Sequence, residues 1–214
     1  MAVTIPNGAK FFIASGYATS KQMTAVTNAN PAVATLEASH GIVTSDYLEV
    51  TSGWEQLDGR IVKAGTVATN NVPLLGIDAS STTIFPTGAG AGSVRKISAW
   101  QQITQVLSVS ASGGDQQYAD YQFLESMMQR RIPTVRSPIE IKLGVADDPS
   151  LGWMATVQAA SVGRVNRAIR MQLPNGAEIL FNAAVSLGDM PSMNTNDVMA
   201  TEITLSLNSY PVRV

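Results

Sequence analysis

The chain has one histidine, His40, and an imidazole is the side chain best suited to moving protons near neutral pH. A general base needs a carboxylate to orient it and a nucleophile in reach, and no motif around His40-Gly41 supplies either. The segment reads as a turn carrying a surface or interface histidine. Ser93-Val94-Arg95-Lys96 has the Ser-x-x-Lys spacing in which a lysine activates a serine, but it enters a strand pattern and lacks a Lys-Thr-Gly partner. In Gly88-Ala89-Gly90-Ala91-Gly92 the third glycine of the dinucleotide fingerprint is replaced by Ser93, and no helix follows. Asp147-Asp148 offers oxygen ligands for a hard cation, yet Asp-Asp-Pro is equally a turn. Arg164, Arg167 and Arg170 fall on both faces of one strand pattern, which suits a subunit contact or ion-pair network better than a nucleic-acid patch. Cysteine is absent, so thiol nucleophiles, thiolate metal sites and disulfides are excluded. The expectation is a protein with no catalytic, cofactor or metal site.

Composition points the same way. Of 214 residues only 14% are charged, where an ordinary soluble domain has about 25%. The apolar share is an ordinary 45%; Ser, Thr, Asn and Gln fill the gap. A net charge of −2 with that apolar share excludes a disordered chain. A pI near 5.4 argues against a free-standing nucleic-acid binder, which needs a dense Lys/Arg footprint. The start, MAVTIPNGAKFFIASG, has no basic run before an apolar one, so no secretory signal is expected. The longest uncharged stretch, Ile97 to Gly114, is rich in Gln and Ser and cannot span a bilayer.

The elements that must position any surface are mostly strands. Leu48 and Val50 alternate with Glu49 and Thr51, and Arg60–Ala64 follows a Leu57-Asp58-Gly59 turn. Residues 79–92 have loop composition without a period, which suits an interaction arm. Ile97 to Val109 reads as one long strand with a greasy and a small-polar face. Tyr118, Tyr121, Leu124 and Met128 fit helical spacing, with acids early and Arg130-Arg131 late, so the one flanking helix is expected over about residues 115–131, stopped by Pro133. Val135 to Val145 alternates again, with Pro138 suggesting a sheet edge, and Trp153 to Val157 begins another strand. Val165–Leu173 and Ile179–Leu187 flank Pro174-Asn175-Gly176, a strong hairpin signal. The last strand, Ala200 to Asn208, puts Glu202, Thr204, Ser206 and Asn208 on one face. The fold class is therefore mainly β, an all-β domain of roughly eight or more strands with one helix against a sheet, in a single domain over 1–214.

Solvent-facing strand positions normally carry charge, which keeps copies of a protein apart. Here they carry Ser, Thr, Gln and Asn, and charge is depleted where surfaces become buried interface. Composition thus predicts a homo-oligomer and leaves its symmetry open.

At this point a family resemblance adds detail. Asn28-Ala29-Asn30-Pro31-Ala32 leads to Ala38-Ser39-His40-Gly41-Ile42 and then Val50-Thr51-Ser52-Gly53; Phe181-Asn182-Ala183-Ala184-Val185-Ser186 is followed by Glu202-Ile203-Thr204-Leu205-Ser206-Leu207 and Tyr210-Pro211. This resembles the major tail tube proteins of long-tailed, non-contractile (siphovirus-type) bacteriophages, over essentially the whole chain. The resemblance implies a β-sandwich or half-barrel with one flanking helix, assembled as hexameric rings stacked into a hollow tube, with a lumen barrel built by all six subunits. It implies a virion tail assembled in the host bacterial cytoplasm, with the tape measure protein inside it and tail terminator and tip proteins as partners. Double-stranded DNA passes through without sequence-specific binding. Some relatives carry a further immunoglobulin-like domain, which is not expected here.

A bore for DNA must not hold phosphate, so the expected lumen residues are Glu202, Thr204, Ser206 and Asn208 with Asn182, Ala184 and Ser186. Subunit and ring contacts are expected from the loops at about 36–60 and 76–95, and from His40, Tyr47, Trp54, Phe85, Arg95, Arg164, Arg167 and Arg170. Two other readings stay open: another tail ring or tip component of related fold, and a receptor- or carbohydrate-binding β-sandwich in which Trp54 and Trp153 would share a groove.

Overall fold

Alternating apolar residues dictate the architecture, and strand after strand uses that alternation to bury one face. A computed structural model describes residues 7–193, 195 and 198–214. In chain order the first strands are β1 (Lys10–Tyr17), β2 (Lys21–Val26), β3 (Ala32–Leu36), β4 (Tyr47–Ser52), β5 (Ile61–Ala64), β6 (Asn71–Leu75), β7 (Gly92–Ile103) and β8 (Val106–Gly113). They are followed by β9 (Gln116–Tyr121), β10 (Arg130–Arg136), β11 (Ile139–Ala146), the helix α1 (Gly152–Gly163), β12 (Asn166–Gln172), β13 (Glu178–Leu187), β14 (Ala200–Leu207) and β15 (Val212–Arg213). Every strand pairing is antiparallel, and the main sheet runs β2-β3-β6-β5-β4-β7-β1-β12-β13-β14-β11-β8. The expected mainly β fold with one helix is what the structure has.

Two apolar cores share the central strands. The first is packed by Met23, Leu36, Leu48, Trp54, Ile61 and Leu74, and takes Ala168 and Leu180 from β12 and β13. The second takes the other faces of the same strands, through Ile169 and Phe181, together with Ile13, Leu143, Ile203 and Leu205. Between β7 and β8 only Thr104 and Gln105 intervene, yet β7 pairs with β1 while β8 pairs with β11, at the far side of the run β1-β12-β13-β14-β11. The sheet therefore curls until its two sides meet at this kink, where Gln105 adopts φ 59° and the Ala146 N–H donates to the Gln105 carbonyl at 3.0 Å. The long strand expected from 97 to 109 is broken at that residue. Helix α1 fills the curl, burying Trp153, Met154, Val157 and Ala160 along one face.

The helix is thus not where the sequence pattern placed it. Residues 115–131 form β9, a connecting loop and the start of β10, paired Tyr121↔Arg130 and Tyr118↔Pro133. The reason is closure. Gly113 and Ile139 are direct strand partners, and Ser137 clamps Asp115 through two hydrogen bonds of 2.9 Å. A 17-residue helix would carry the chain about 25 Å away and leave few residues for the return. Gly113 holds φ +83°, with Pro138 O only 1.9 Å from where a Cβ would sit, so the chain turns there as no other residue allows. Pro138 marks this strand break and not an edge, since β11 lies between β14 and β8. Conversely, Trp153–Val157 is helix and not strand: burial at 153, 154, 157 and 160 is helical spacing, and Arg164 ends it in the left-handed region at φ 50°.

Candidate functional site

The β13-β14 hairpin separates its side chains cleanly. Ala183, Val185, Ile203 and Leu205 point into the core under α1. Their neighbours Ala184, Ser186, Glu202, Thr204 and Ser206 lie on the opposite face, with Ala184 opposite Ser206 and Ser186 opposite Thr204. The register extends this face across two more strands. Ser206, Thr204 and Glu202 face Glu140, Lys142 and Gly144 on β11, which in turn face Ser112, Ser110 and Ser108 on β8. The result is a four-stranded face paved with small neutral side chains.

Its charges are few and mostly cancelled. Lys142 donates to Glu202 at 3.0 Å, and this hydrogen bond and charge hold the Lys142 ammonium above its ordinary pKa. Ser206 donates to Glu140 at 3.4 Å, and Asn208 bridges to Asn166 at 2.8 Å. Asn182 does not belong here. It is 5% exposed, and its amide donates to Glu49 at 3.1 Å between the two cores, because β4 covers that end of β13. Glu140, Lys142 and the three serines of β8 were missed from sequence; their parity was readable, but the pairing of β11 with β14 and β8 was not.

The margin of the face is unusual. Strand β8 ends the sheet order, so its outer backbone groups are unpaired within the described residues. Its sequence, VLSVSASG, has no charged residue or proline, and Leu107 and Val109 are 55% and 49% exposed. Monomeric proteins guard such edges with lysine, proline or bulges. This one is bare.

The residues expected at interfaces divide. Trp54 and Phe85 are core: Trp54 is 1% exposed, its indole donates to Pro86 O at 2.7 Å, and its ring meets Phe85 edge-on at 5.2 Å. Residues 79–92 are therefore no free arm, since they cover Trp54, with Asn28 pinning them through Ala79 O and Phe85 O. Trp54→Ala is expected to lower stability by about 3–5 kcal/mol, measured as the shift of a urea transition. Trp153 is buried in the other core, so the shared tryptophan groove of a carbohydrate binder does not form. His40 is a loop clamp: Ile42 N–H donates to Nδ1, so Nε2 carries the proton and donates to Thr69 O at 2.9 Å. Arg164 caps the helix and lies outside any strand.

Tyr47 and Arg170 meet inside the subunit. Both oxygens of Glu178, which is 6% exposed, accept from Tyr47, and Lys63 donates to one at 2.9 Å. Arg170 donates to Tyr47 at 2.9 Å and stacks over Phe12 at 4.2 Å. Arg95 pairs with Glu49 and lies 4.1 Å above the Tyr17 ring, with Arg167 5.7 Å above its centroid. Burial pushes the Glu178 carboxyl up; hydrogen bonds from Lys63 and Tyr47 and the charges of Lys63 and Arg170 outweigh it, so it titrates below its ordinary value. A lowered carboxylate pKa adds stability above the unfolded value, about 4.3, and loses it as pH falls through the folded value. Thermal melts are expected to weaken in that acid range, and less so in Glu178→Gln, which at neutral pH costs roughly 3 kcal/mol by stranding Lys63 and Arg170.

No cluster of three or more metal-ligating side chains occurs among the described residues. A cleft of about 610 Å³ is lined by Glu55, Asp58, Arg60 and Arg136, a mixed-charge surface without a nucleophile and base in contact. The described surface offers a polar face and an unpaired sheet edge rather than a catalytic constellation. Comparison with known families makes this specific: residues 52–214 match the family described as phage tail tube protein, TTP, and the chain belongs to that family. It is accordingly a structural subunit of a phage tail tube, located in the virion tail. No curated protein matches. Among solved structures it is similar to a chain of the PVC sheath-tube complex of an extracellular contractile injection system, in the extended state, solved by cryo-EM. That match has 20% identity and a TM-score of 0.34, and covers 49% of this chain and 78% of that one.

Proposed function

We propose that the subunit forms hexameric rings stacked into a hollow tube, and that the polar face of β8, β11, β14 and β13 lines the bore through which double-stranded DNA passes. The observation that carries this is the joining of that face to a bare edge strand. A neighbour added at β8 prolongs the sheet, and with it both the neutral face and the apolar underside bearing Leu107 and Val109. Repeated around a ring, the addition covers the β8 edge of every subunit, as closure does in barrels. The bore residues are then Ser108, Ser110, Ser112, Thr204, Ser206 and Ser186, with Lys142 held by Glu202 and no unpaired cation to grip phosphate.

The whole chain acts as one tube domain in this reading. The exposed rims of residues 36–60 and 76–95, which carry Val43 and Ile84, are free to meet other subunits. The sequence resemblance adds a long, non-contractile tail, assembled in the host cytoplasm, with a tape measure protein in the bore and terminator and tip proteins at the ends. Purified protein examined by negative-stain electron microscopy tests the reading: hollow filaments are expected, and a monodisperse monomer at high concentration overturns it.

A further inference from the structure

An open sheet edge takes a strand from elsewhere, and its sequence decides which strand fits. The main sheet order ends at β2 and β8, and β2 is also paired with β7 through Lys21↔Val94 and Met23↔Gly92. That closes the first end, so among the described residues β8 is the end left open. The two-stranded sheet of β9 and β10 has edges of its own, but its strands carry Asp120, Arg130, Arg131 and Pro133, residue types that guard edges. β8 has no such guard. An uncharged, proline-free strand left open is an aggregation site unless something covers it.

Strand β8 matches itself. Laid antiparallel on a second β8 with Val109 opposite Val109, Leu107 meets Ala111 and Ser108 meets Ser110. This register keeps Leu107, Val109 and Ala111 of both copies on the side of Leu143 and Ile141, their partners on β11. It keeps Ser108, Ser110 and Ser112 of both copies on the other side, whereas a slip of one residue would mix the two sets. The backbone agrees, because alternate residues of a strand turn their N–H and C=O toward the same neighbour, and here like positions meet. No charge opposes the contact: Glu140 and Lys142 lie one strand further in, opposite Ser112 and Ser110.

We propose that free subunits pair as two-fold dimers through β8, antiparallel and centred on Val109, and that this pairing holds them back from the ring. An edge joined to its own copy makes an isologous contact, which stops at two subunits. Ring formation needs a different segment of the neighbour at the same edge, so the two contacts compete. The dimer keeps the uncharged edge covered until a growing tube takes the subunit. The inference rests on the tube reading and adds to it the state from which subunits are drawn.

Sedimentation of the soluble wild-type protein is expected to show a species of twice 22.6 kDa; monomer alone overturns the dimer. Val109→Lys, which sets like charges directly opposite each other, should remove that species. Because the chain has no cysteine, introduced thiols report the register. Val109→Cys is oxidised beside Val162→Cys, a control whose position is 79% exposed on α1. Ser108→Cys mixed with Ser110→Cys is oxidised beside each variant alone. The two probes occupy alternate kinds of ladder pair, so one of them has the closer geometry. At least one is expected to give disulfide-linked dimers tenfold or more above its controls, and control-level yields from both overturn the pairing. Linked dimers should form no tubes until a reductant frees them; tubes built from linked dimers overturn the competition. If wild-type protein forms no tubes, the tube reading itself fails, and sedimentation and cross-linking decide the dimer by themselves.

Discussion

A lysine in place of Val109 is expected to leave the subunit folded and stop ring formation. Val109 is half exposed on the edge strand β8, opposite Leu143, so the folded monomer has room to send an ammonium group into water. In the ring that position becomes part of the apolar underside of a continuous sheet. Burying an unpaired charge there costs several kcal/mol per contact, and each 1.4 kcal/mol is about a tenfold loss of affinity. Each contact is expected to weaken by roughly 100-fold or more. Because a ring needs every contact, assembly should vanish altogether. The check is sedimentation of wild-type and Val109→Lys protein at equal concentration: the variant should run as a single species near 22.6 kDa with an unchanged melting curve. Val109→Thr, which keeps the shape and adds no charge, should still assemble. Tubes from the lysine variant would show that β8 does not join subunits.

The second large effect concerns passage of DNA. Thr204 and Ser206 lie on the polar face of β14 and are half-buried, so arginine at both is expected to reach into the bore without disturbing the core behind Leu205. Each arginine that neutralises a phosphate adds about 0.9 to the slope of log affinity against log salt. Repetition around every ring multiplies the effect. Particles carrying Thr204→Arg with Ser206→Arg should have tails of normal length but eject DNA at least tenfold more slowly at 50 mM salt than wild type. Raising the salt to 200 mM should relieve most of the delay, since contacts of this kind weaken by orders of magnitude over that range. The neutral pair Thr204→Gln with Ser206→Gln should eject at the wild-type rate. An arginine variant that ejects normally at both salts would take this face out of the bore.

Much of this surface was legible in the sequence because strand parity is a local property. The alternation in Ala200–Asn208 and in Ile179–Leu187 placed Thr204, Ser206 and Ser186 together and away from the core, and Asn175-Gly176 identified the β12-β13 hairpin. What failed was non-local. Asn182 has the right parity, but β4 lies over it, and no spacing within β13 reports that cover. Trp54 and Phe85 looked available on loops, whereas the 79–92 loop folds back and uses Phe85 to roof Trp54. Helical spacing at Tyr118, Leu124 and Met128 misled because that pattern describes a helix only when its apolar face is covered. Here the ends of the segment are tied together by Gly113↔Ile139 and the Ser137 clamp, so the same residues form an uncovered hairpin.

Low charge content, 14% of the chain, serves two ends on this account: an edge that copies can share and a bore that phosphate can slide along. A cryo-EM reconstruction of tubes assembled from the purified protein tests that most directly. The account predicts a hollow tube in which Ser110, Thr204 and Ser206 face the bore, β8 is hydrogen-bonded to a neighbouring subunit, and α1 lies on the outside. A tube with α1 toward the bore, or subunits joined without β8, would contradict it.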